Sequence, residues 1–310
     1  MSRADRSPSP HAAALRRLLT MSRPLQPWQG TGRLPWGDSD FSRRLLETHL
    51  DPTNDQATRR PEVVDQHVAW LLDRLAEDLG PGSFHVLDAG CGPGLYCHEL
   101  ARRGHRATGL DIAPAALDWA REKAESEQLA CRFLNADLDD LPADLPGRIA
   151  AGFGPADAVT IWFGDLHGFA APRAEVLLTG LGLCLRPGGL LVIEYQPLDH
   201  FVTEQGSSWE ACESGPFSDE PHLWLQEYAW DEDTLTEIHG HWIVEVGSGT
   251  IQEHVQCHQG WSEDDLDRLL VRCGFDRPRR HPPITGVDPE LEFPMLTARR
   301  AGTGRDEGHR

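Results

Sequence analysis

Residues 85–100 read HVLDAGCGPGLYCHEL, and this stretch decides the fold. Its first residues are an apolar run that predicts a short buried strand, and its last residues predict a helix. Gly90, Gly92 and Gly94 lie between the two, where a tight turn lets backbone N–H groups approach a ligand. A dinucleotide-binding fingerprint needs a glycine at the next position, and this chain has Leu95 there.

Strands and helices alternate on both sides of this stretch. Pro61 is a good first-turn residue for a helix, and the apolar residues after it recur at helical spacing. Such alternation predicts an α/β fold, in which a parallel sheet carries helices on both faces. The predicted strands are 84–89, 106–112, 131–136, 158–163, 190–195 and 294–300, and the predicted helices follow Pro61 and cover 95–103, 114–126, 174–185 and 262–273.

The segment 197–261 breaks this alternation. Its runs HLWLQEYAW, DTLTEIHGHWIVEV and TIQEHVQCHQ predict two or three antiparallel strands, with GSG as a hairpin turn between the last two. The HGH sequence places His239 and His241 on one face of a strand, close enough to share a metal ion. His254 and His258 lie about 13 Å apart along their own strand. Because the sequence indicates no carboxylate in register with HGH, we expect no metal.

These elements divide the chain into consecutive segments. The first residues are rich in Ser, Pro and Arg without a persistent apolar period, so we expect them to be disordered. The predicted segments are a disordered N-terminal arm (1–30), a lid segment (31–60), a Rossmann-like ligand-binding core (61–196), an antiparallel β insert that caps the substrate (197–261), a C-terminal completion of the core (262–300) and a disordered tail (301–310).

The composition disfavours several classes of partner. The formal net charge is −20, which repels phosphate backbones and anionic lipids, so we expect neither nucleic acid nor a membrane as partner. No apolar run of the sequence approaches the ~18 residues of a membrane-spanning helix. The seven cysteines are scattered without CxxC spacing, which favours free thiols in a reducing cytoplasm.

Three aspartates lie at the carboxyl ends of neighbouring predicted strands, beside the crevice where open sheets bind ligands. Asp88 would face a bound pyrophosphate at close range, which is unfavourable for NAD or ATP. The same carboxylate suits a ligand with an ammonium and a sulfonium group. Asp111 is placed to accept hydrogen bonds from ribose hydroxyls, and Asp137 from an adenine amino group. The ligand that these positions indicate is S-adenosylmethionine.

The chain from about residue 61 to 195 resembles the class I S-adenosylmethionine-dependent methyltransferases, through the motifs VLDAGCGPG, GLDIAP, NADLDDLP and LRPGGLLVIEY. The resemblance implies a Rossmann-like, seven-stranded, mostly parallel sheet with one antiparallel strand, to which the β insert and an N-terminal helical lid are added. It implies that the methionine end of the cofactor lies at the glycine loop. The cofactor-binding residues implied are Asp88, Gly90, Cys91, Gly92, Gly94, Asp111, Ile112, Ala136, Asp137, Leu138 and Phe163.

The flanking segments PWGDSDFSRRLLETHL and SDEPHLWLQEYAW are similar to those of bacterial small-molecule methyltransferases. In those relatives the segment after the fourth strand more often reads Gly-Glu-Phe-Asn, whereas this chain has Gly164-Asp165-Leu166-His167. The departure leaves open whether their acceptor chemistry applies here.

Asp165 and His167 follow the fourth strand, beside the expected methionine arm of the cofactor. A histidine near neutral pKa is a natural base for an acceptor proton, and a nearby carboxylate can orient its ring. The alternative is structural: Asp165 caps the next helix or turn, and His167 packs under the insert. Catalytic and structural roles both remain open for these two residues.

Other residues are candidates for binding the acceptor. Adjacent residues of a strand face opposite ways, so either Glu194 or Tyr195 faces the site. Trp162 and Tyr195 are candidates for cation–π contact, with core packing as the alternative for Tyr195. The predicted substrate-binding residues are Trp36 and Phe41 of the lid, together with Trp162, Glu194, Tyr195 and His200.

The sequence thus predicts a cytoplasmic S-adenosylmethionine-dependent methyltransferase (EC 2.1.1.-) that acts on a small organic acceptor in bacterial secondary metabolism, as a monomer or homodimer. Which atom of the acceptor is methylated stays open. One alternative is a lyase or cyclase that attacks the sulfonium elsewhere, and another is a non-catalytic cofactor-binding regulator. A nicotinamide oxidoreductase is the remaining alternative.

Overall fold

The structure is a computed structural model that describes residues 9–20, 25–30, 33–53, 55, 57–284 and 292–301. Its helices are α1 (Pro10–Thr20), α2 (Ser39–Leu50), α3 (Pro61–Leu79), α4 (Leu95–Arg102), α5 (Pro114–Ser126), α6 (Leu145–Phe153), α7 (Ala171–Cys184) and α8 (Glu263–Arg272). Its strands are β1 (His85–Ala89), β2 (Arg106–Asp111), β3 (Cys131–Asn135), β4 (Ala156–Ile161), β5 (Leu185–Glu194), β6 (Gly206–Cys212), β7 (His222–Asp231), β8 (Thr236–Glu245), β9 (Ile251–Gln259), β10 (Arg279–His281) and β11 (Met295–Arg299).

The chain divides into two compact units, which we call the core unit (residues 37–200 and 261–310) and the β unit (residues 1–36 and 201–260). The core unit contains a seven-stranded sheet in the order β10-β11-β5-β4-β1-β2-β3. Strands β5, β4, β1, β2 and β3 are parallel, and β11 runs antiparallel to both of its neighbours. The predicted Rossmann-like sheet with one antiparallel strand is therefore confirmed.

Apolar residues cover both faces of this sheet. Along β1, Val86 joins a cluster with Val68 of α3, and Leu87 joins a second cluster on the opposite face with Leu177 of α7. This alternation is the reason that β1 reads as a continuous apolar run, because a strand buried on both faces has no solvent side. The predicted helix after Pro61 is confirmed as α3, which ends at Gly80 with φ of 85°.

The β unit contains a four-stranded antiparallel sheet in the order β6-β7-β8-β9. The predicted antiparallel insert is confirmed, with four strands in place of the predicted two or three. Strand β6 escaped prediction because most of its residues are exposed, so it shows no apolar alternation.

The N-terminal segment differs from expectation, because α1 forms within the arm that we predicted to be disordered. Ala14 is buried, and Arg17 forms an ion pair with Glu253 at 3.0 Å. Contacts of this kind, distant in sequence, stabilise a helix that the local composition does not indicate. The rest of the predicted arm includes residues 1–8 and 21–24, and the predicted tail includes 302–310, all of which lie outside the described residues.

Within the described residues, no helix has the length and apolar character needed to cross a membrane.

Candidate functional site

The glycine-rich loop after β1 is held by backbone hydrogen bonds. The N–H groups of Gly90 and Cys91 both donate to the Leu110 carbonyl of β2, at 2.9 and 3.0 Å. Gly90, Gly92 and Gly94 have φ of 81°, 50° and 75°, a left-handed conformation that favours glycine. The loop lies at the point where the strand order reverses between β1 and β4, which is where open α/β sheets bind their ligands.

Asp88 lies at the end of β1 and is only 1% exposed. Its Oδ1 accepts a hydrogen bond from the Thr160 hydroxyl of β4 at 2.8 Å. Burial raises the pKa of Asp88 to about 7, although hydrogen bonds from Thr160 and other neighbours oppose the shift. A buried carboxyl group poised near neutral pKa is well suited to receive a cation, because the cation would replace the lost hydration.

Asp111 ends β2 and organises the glycine loop. Its Oδ2 accepts from the Gly92 N–H at 2.7 Å, and its Oδ1 accepts from the Ala113 N–H at 2.8 Å. Burial raises the pKa of Asp111, against the effect of these backbone donors. The predicted position of Asp111 beside the loop is therefore present in the structure.

The residues after β3 lie at the same edge of the sheet. The Ala136 N–H donates to the Asp111 carbonyl at 2.9 Å, and Asp137 accepts from the Asp139 N–H at 3.0 Å. Leu138 covers the glycine loop, since its Cδ1 lies 3.8 Å from the position that a Cβ on Gly90 would take. The structure thus brings the predicted adenine-side residues to the ligand edge of the sheet.

Two predicted cofactor residues contact the loop in different ways. Cys91 points into the core against Gly109, where a Cβ would come 2.5 Å from its Sγ, and burial raises its thiol pKa well above the usual range. Cys91 therefore serves the loop through its backbone. Ile112 packs against Gly37, where a Cβ would lie 3.2 Å from the Ile112 side chain.

Asp165 begins a short 3₁₀ turn after β4 and reaches over the glycine loop. Its Oδ2 would lie 2.4 Å from a Cβ on Gly90. Burial raises the pKa of Asp165 well above its usual range, and the neighbouring carboxylates Asp111, Asp88 and Glu194 raise it further. Asp165 therefore belongs to the same acidic group as Asp88, at the expected methyl-bearing end of the site.

His167 has different neighbours. It is 2% exposed, and its Nε2 accepts a hydrogen bond from the Gln196 backbone N–H at 3.0 Å. The backbone N–H of His167 donates to the Gly164 carbonyl at 2.9 Å. Because the Nε2 lone pair is engaged by a backbone donor, this geometry favours the structural alternative for His167 over the role of base.

Glu194 faces the ligand edge of the sheet, and Tyr195 faces the other way. The Glu194 carboxylate is 1% exposed and accepts from the Phe163 N–H at 2.6 Å. Tyr195 packs in the apolar cluster that contains Leu87 and Leu177, and burial raises the pKa of its hydroxyl group. Strand alternation predicted that the two side chains face opposite ways, and they do, with Glu194 beside Phe163 and Arg59.

Arg59 is a functional candidate that the sequence did not reveal. It precedes α3, is 1% exposed, and donates to Glu194. Its guanidinium carbon lies 4.4 Å from the ring centre of Phe163 and 5.5 Å from that of Phe293. Burial raises the pKa of Glu194, and the charge of Arg59 lowers it. The signal is absent locally because the pair is 135 residues apart.

Helix α2 lies in the segment that we predicted to be a lid, and its last turn contacts the glycine loop. Asp38 caps its first turn by accepting from the Phe41 N–H at 2.8 Å, and Phe41 is 2% exposed. Ser42 accepts from the Ala115 N–H of α5 at 3.0 Å. His49, another residue that the sequence did not reveal, lies 3.6 Å from the position of a Cβ on Gly92. Burial lowers the pKa of His49 to about 4, so its ring is neutral at neutral pH.

The structure does not bring the remaining predicted substrate-binding residues together at one place. Trp162 is 5% exposed and stacks on Tyr96, with ring centres 4.6 Å apart, so it is a core residue at the end of β4. His200 is exposed, with its ring centre 6.5 Å from that of Phe293. Trp36 is half-buried and belongs to the β unit, whereas Phe41 belongs to the core unit.

The sequence interpretation of HGH requires one correction within the β unit. We saw no carboxylate in register with these histidines, but Glu237 pairs directly with His258 across β8 and β9. Glu237 also lies two residues before His239, on the same face of β8. Strand alternation alone indicates that Glu237 lies beside His239, and the prediction missed it. The pairing of Glu237 with His258 depends on the register of the β8–β9 hairpin, which the joining turn sets.

Residues 86–189 match the family model described as a methyltransferase domain. The chain is 35% identical over 169 residues to malonyl-[acyl-carrier protein] O-methyltransferase of Serratia marcescens, covering 52% of this chain and 60% of that protein. It is 30% identical to tRNA 5-carboxymethoxyuridine methyltransferase of Escherichia coli, covering 42% of this chain and 47% of that protein. The chain therefore spans less than two thirds of the length of these relatives.

A longer match is to the putative methyltransferase YqeM of Bacillus subtilis, which is 26% identical and covers 75% of this chain and 87% of that protein. Among solved structures, the CcbJ methyltransferase from Streptomyces caelestis has a TM-score of 0.60 at 17% identity, covering 85% of this chain and 99% of that chain. CalS10, an amino pentose methyltransferase from Micromonospora echinaspora, has a TM-score of 0.52 at 16% identity, covering 77% and 92%. The likenesses to solved structures show the fold, and the match of residues 86–189 to the methyltransferase domain model confirms the resemblance over that range.

Proposed function

We propose that this chain, whose residues 86–189 belong to the methyltransferase domain family, transfers the methyl group of S-adenosylmethionine to a small organic acceptor. The observation that carries the proposal is the group of carboxylates around the glycine loop. Asp88, Asp111 and Asp165 converge there, and burial raises the pKa of each. A fourth buried carboxylate, Glu194, is paired with the Arg59 guanidinium.

Such an excess of buried carboxyl groups selects a cationic ligand and opposes a phosphate-bearing one. S-adenosylmethionine supplies an ammonium and a sulfonium group and carries no phosphate. Asp88 and the glycine loop bind its methionine end, and Asp111 accepts hydrogen bonds from its ribose. The Asp111 oxygens accept from the Gly92 and Ala113 N–H groups, and each keeps a second lone pair for a hydroxyl donor. Asp137 and Leu138 lie on the adenine side.

Methyl transfer is an in-line displacement, in which a lone pair of the acceptor attacks the methyl carbon and the sulfur keeps the bonding electrons. The cofactor supplies the activated methyl group, so the protein mainly aligns the acceptor and removes its proton. We assign the role of proton acceptor to Asp165, because its carboxyl group overhangs Gly90 and because burial raises its pKa, which makes the ionised carboxylate a stronger base than an exposed aspartate. His167 holds the turn that carries Asp165, through its hydrogen bond to Gln196.

The acceptor class rests on charge. A net charge of −20 opposes approach of a polyanion, which disfavours an RNA acceptor of the kind named for the Escherichia coli relative. A small organic acceptor in bacterial secondary metabolism fits the acidic surface, and two solved structures of the same fold carry names of amino-sugar and sugar N-methyltransferases. The seven free cysteines agree with a reducing cytoplasm.

The test is incubation of the protein with methyl-labelled S-adenosylmethionine and fractionated bacterial metabolites, followed by mass spectrometry. We expect S-adenosylhomocysteine together with label in one metabolite fraction. Methylthioadenosine as product would contradict methyl transfer and favour the lyase or cyclase. Tight binding with intact cofactor in every fraction would favour the regulator, and thermal stabilisation by NADH alone would favour an oxidoreductase.

A further inference from the structure

A face of the four-stranded sheet in the β unit carries four histidines and a glutamate. Glu237, His239 and His241 alternate along β8, and His254 and His258 lie on β9 opposite His241 and Glu237 respectively. None of these residues belongs to the carboxylate group around the glycine loop. Three of them, Glu237, His239 and His258, present one ligand atom each within 4.8 Å of one another.

The distances within this trio match those of a coordination shell. Glu237 Oε2 lies 3.1 Å from His258 Nδ1, and Glu237 Oε1 lies 3.4 Å from His239 Nε2. The edge of a zinc tetrahedron with bonds of 2.0–2.1 Å is about 3.3 Å. Two imidazoles and one carboxylate are a ligand set that Zn²⁺ prefers and that leaves a further position open.

His239 provides a second, independent indication. Among the described residues its Nε2 is a buried ring nitrogen with no hydrogen-bond partner, as are the Nε2 atoms of His241 and His254. Of these three, His239 is the one that lies in the trio, 3.4 Å from the Glu237 carboxylate. A buried polar atom without a partner costs free energy, and a bound ion would remove that cost. The ring is held in place by Tyr228, whose ring centre is 4.9 Å away in an edge-on arrangement.

We propose that Glu237, His239 and His258 are the ligands of one divalent metal ion, which we identify as Zn²⁺. Glu237 is 5% exposed, and the Val202 N–H donates to its Oε1 at 3.0 Å, so the carboxylate is positioned before the ion arrives. The two histidines are half-buried, which leaves the ion a route of entry from solvent.

Gln256 orients His258 from behind. Its side-chain amide lies 3.0 Å from His258 Nε2, on the far side of the ring from Glu237. A metal ion bound to Nδ1 requires that Nε2 carries the proton of the ring. A 180° rotation of the terminal amide of Gln256 exchanges its nitrogen and oxygen, so that the oxygen accepts from this Nε2–H. Three protein ligands then leave at least one position of the ion for water or an oxygen of a ligand.

The test is isothermal titration of tag-free protein, freed of metal with a chelator, with ZnCl₂ and in parallel with MgCl₂. We expect one Zn²⁺ per chain and no comparable Mg²⁺ binding. Glu237→Gln and His258→Ala each remove a ligand and should weaken the Zn²⁺ affinity more than ~100-fold, since loss of an outer-shell partner alone costs ~10–100-fold. Gln256→Ala should fall in that lower range.

The matched control is His254→Ala, which removes a histidine from the same face of the same strand. His254 stacks on Phe217, with ring centres 5.5 Å apart, and lies outside the trio. We expect its Zn²⁺ affinity to equal that of the wild type. An equal loss in His254→Ala and His258→Ala, or no stoichiometric Zn²⁺ binding by the wild type, would overturn the site.

A measurement on the wild-type protein decides the matter if the variants do not fold. Co²⁺ in place of Zn²⁺ should give the intense visible absorption of a four- or five-coordinate ion, and one equivalent of Zn²⁺ should abolish it. The weak spectrum of hydrated Co²⁺ would contradict the proposal. Neither readout depends on methyl transfer, so the metal site and the proposed function can fail separately.

Discussion

Arg59 and Glu194 form an ion pair in which both side chains are only 1% exposed. The pair joins the segment that precedes α3 to the end of β5. The Phe163 N–H, just after β4, donates to the same Glu194 carboxylate. Phe163 lies under the Arg59 guanidinium and has φ of 57°, a conformation that a non-glycine residue rarely adopts. The ion pair thus fixes the backbone that leads to Asp165.

Replacing Arg59 should therefore be costly. We expect Arg59→Met to lower the free energy of unfolding by about 3–5 kcal/mol in urea titrations at pH 8, because Glu194 stays buried and charged without a partner. The loss should shrink as the pH falls and Glu194 takes up a proton. Arg268→Met, which breaks an ion pair with side chains 61% and 49% exposed, should leave the urea midpoint nearly unchanged, because solvent screens an exposed pair. Equal losses in the two variants would show that the buried pair is not energetically important.

Asp111 should govern cofactor affinity. Asp111→Ala removes the acceptor of the Gly92 and Ala113 N–H groups as well as the expected acceptor of the ribose. We expect the Kd for S-adenosylhomocysteine, measured by titration calorimetry, to rise at least ~10–100-fold, since hydrogen bonds to a charged group each contribute about 1.5–3 kcal/mol. Asp118→Ala, at an exposed position of α5, is the control and should leave the Kd unchanged. An unchanged Kd in Asp111→Ala would contradict the ribose assignment.

Gly90 should be sensitive for a reason that Gly104 does not share. Both residues have positive φ, 81° and 87°, so alanine at either position strains the backbone by about 1–2 kcal/mol. A Cβ at Gly90 would also come 2.4 Å from Asp165 Oδ2, whereas a Cβ at Gly104 has nothing within 4 Å among the described residues. We expect thermal unfolding to shift similarly in the two variants, and only Gly90→Ala to lose binding of S-adenosylhomocysteine. Normal binding by Gly90→Ala would show that Asp165 does not pack on the loop.

The position of the site was predictable from local sequence, because the fold converts it into geometry. Asp88 and Asp111 each end an apolar run, and the carboxyl ends of parallel strands meet at one edge of a sheet. No such rule applies to Arg59 or His49. Each reaches the site from a segment outside the strands, and contacts that are distant in sequence leave no periodic signal. Helix α1 and strand β6 were missed for the same physical reason, since tertiary contacts stabilise them and local propensity does not.

Asp165 and His167 should separate in a kinetic comparison. Asp165→Asn removes the carboxylate that overhangs Gly90, and we expect kcat to fall ~10²–10⁴-fold at nearly constant cofactor Kd, which is the usual contribution of a proton acceptor. His167→Gln keeps an acceptor for the Gln196 N–H, and we expect kcat within about tenfold of wild type together with a lower melting temperature. The measurement needs the acceptor from the labelling experiment. The reverse pattern, with His167→Gln inactive and Asp165→Asn active, would assign the proton to His167.

Asp88 should make cofactor binding depend on pH near neutrality. Burial raises its pKa from 3.8 to about 7 in the ligand-free protein, and the ionised form is the one that attracts the cofactor ammonium. Below the raised pKa the group is neutral, so we expect the affinity for S-adenosylhomocysteine to increase about tenfold between pH 6 and pH 8, with proton release detectable by calorimetry in two buffers. The stability of the ligand-free protein changes with pH in the opposite direction to the ligand affinity. Ionisation of a buried carboxyl group disfavours the folded state, so the contribution of Asp88 to ligand-free stability decreases as the pH rises from about 4 through about 7.

Asp88→Asn tests both halves of this linkage, because it keeps the shape of the side chain and cannot ionise. We expect the gain in unfolding free energy of the ligand-free variant relative to wild type to be larger at pH 8 than at pH 5 by about 2–3 kcal/mol, and to vanish below about pH 4. Its affinity for S-adenosylhomocysteine should be weak at both pH values, without the tenfold increase, whereas Asp118→Asn should keep that increase. A variant that binds with the wild-type pH profile would place the titrating group elsewhere in the carboxylate cluster, with Asp165 as the next candidate because its pKa is also raised.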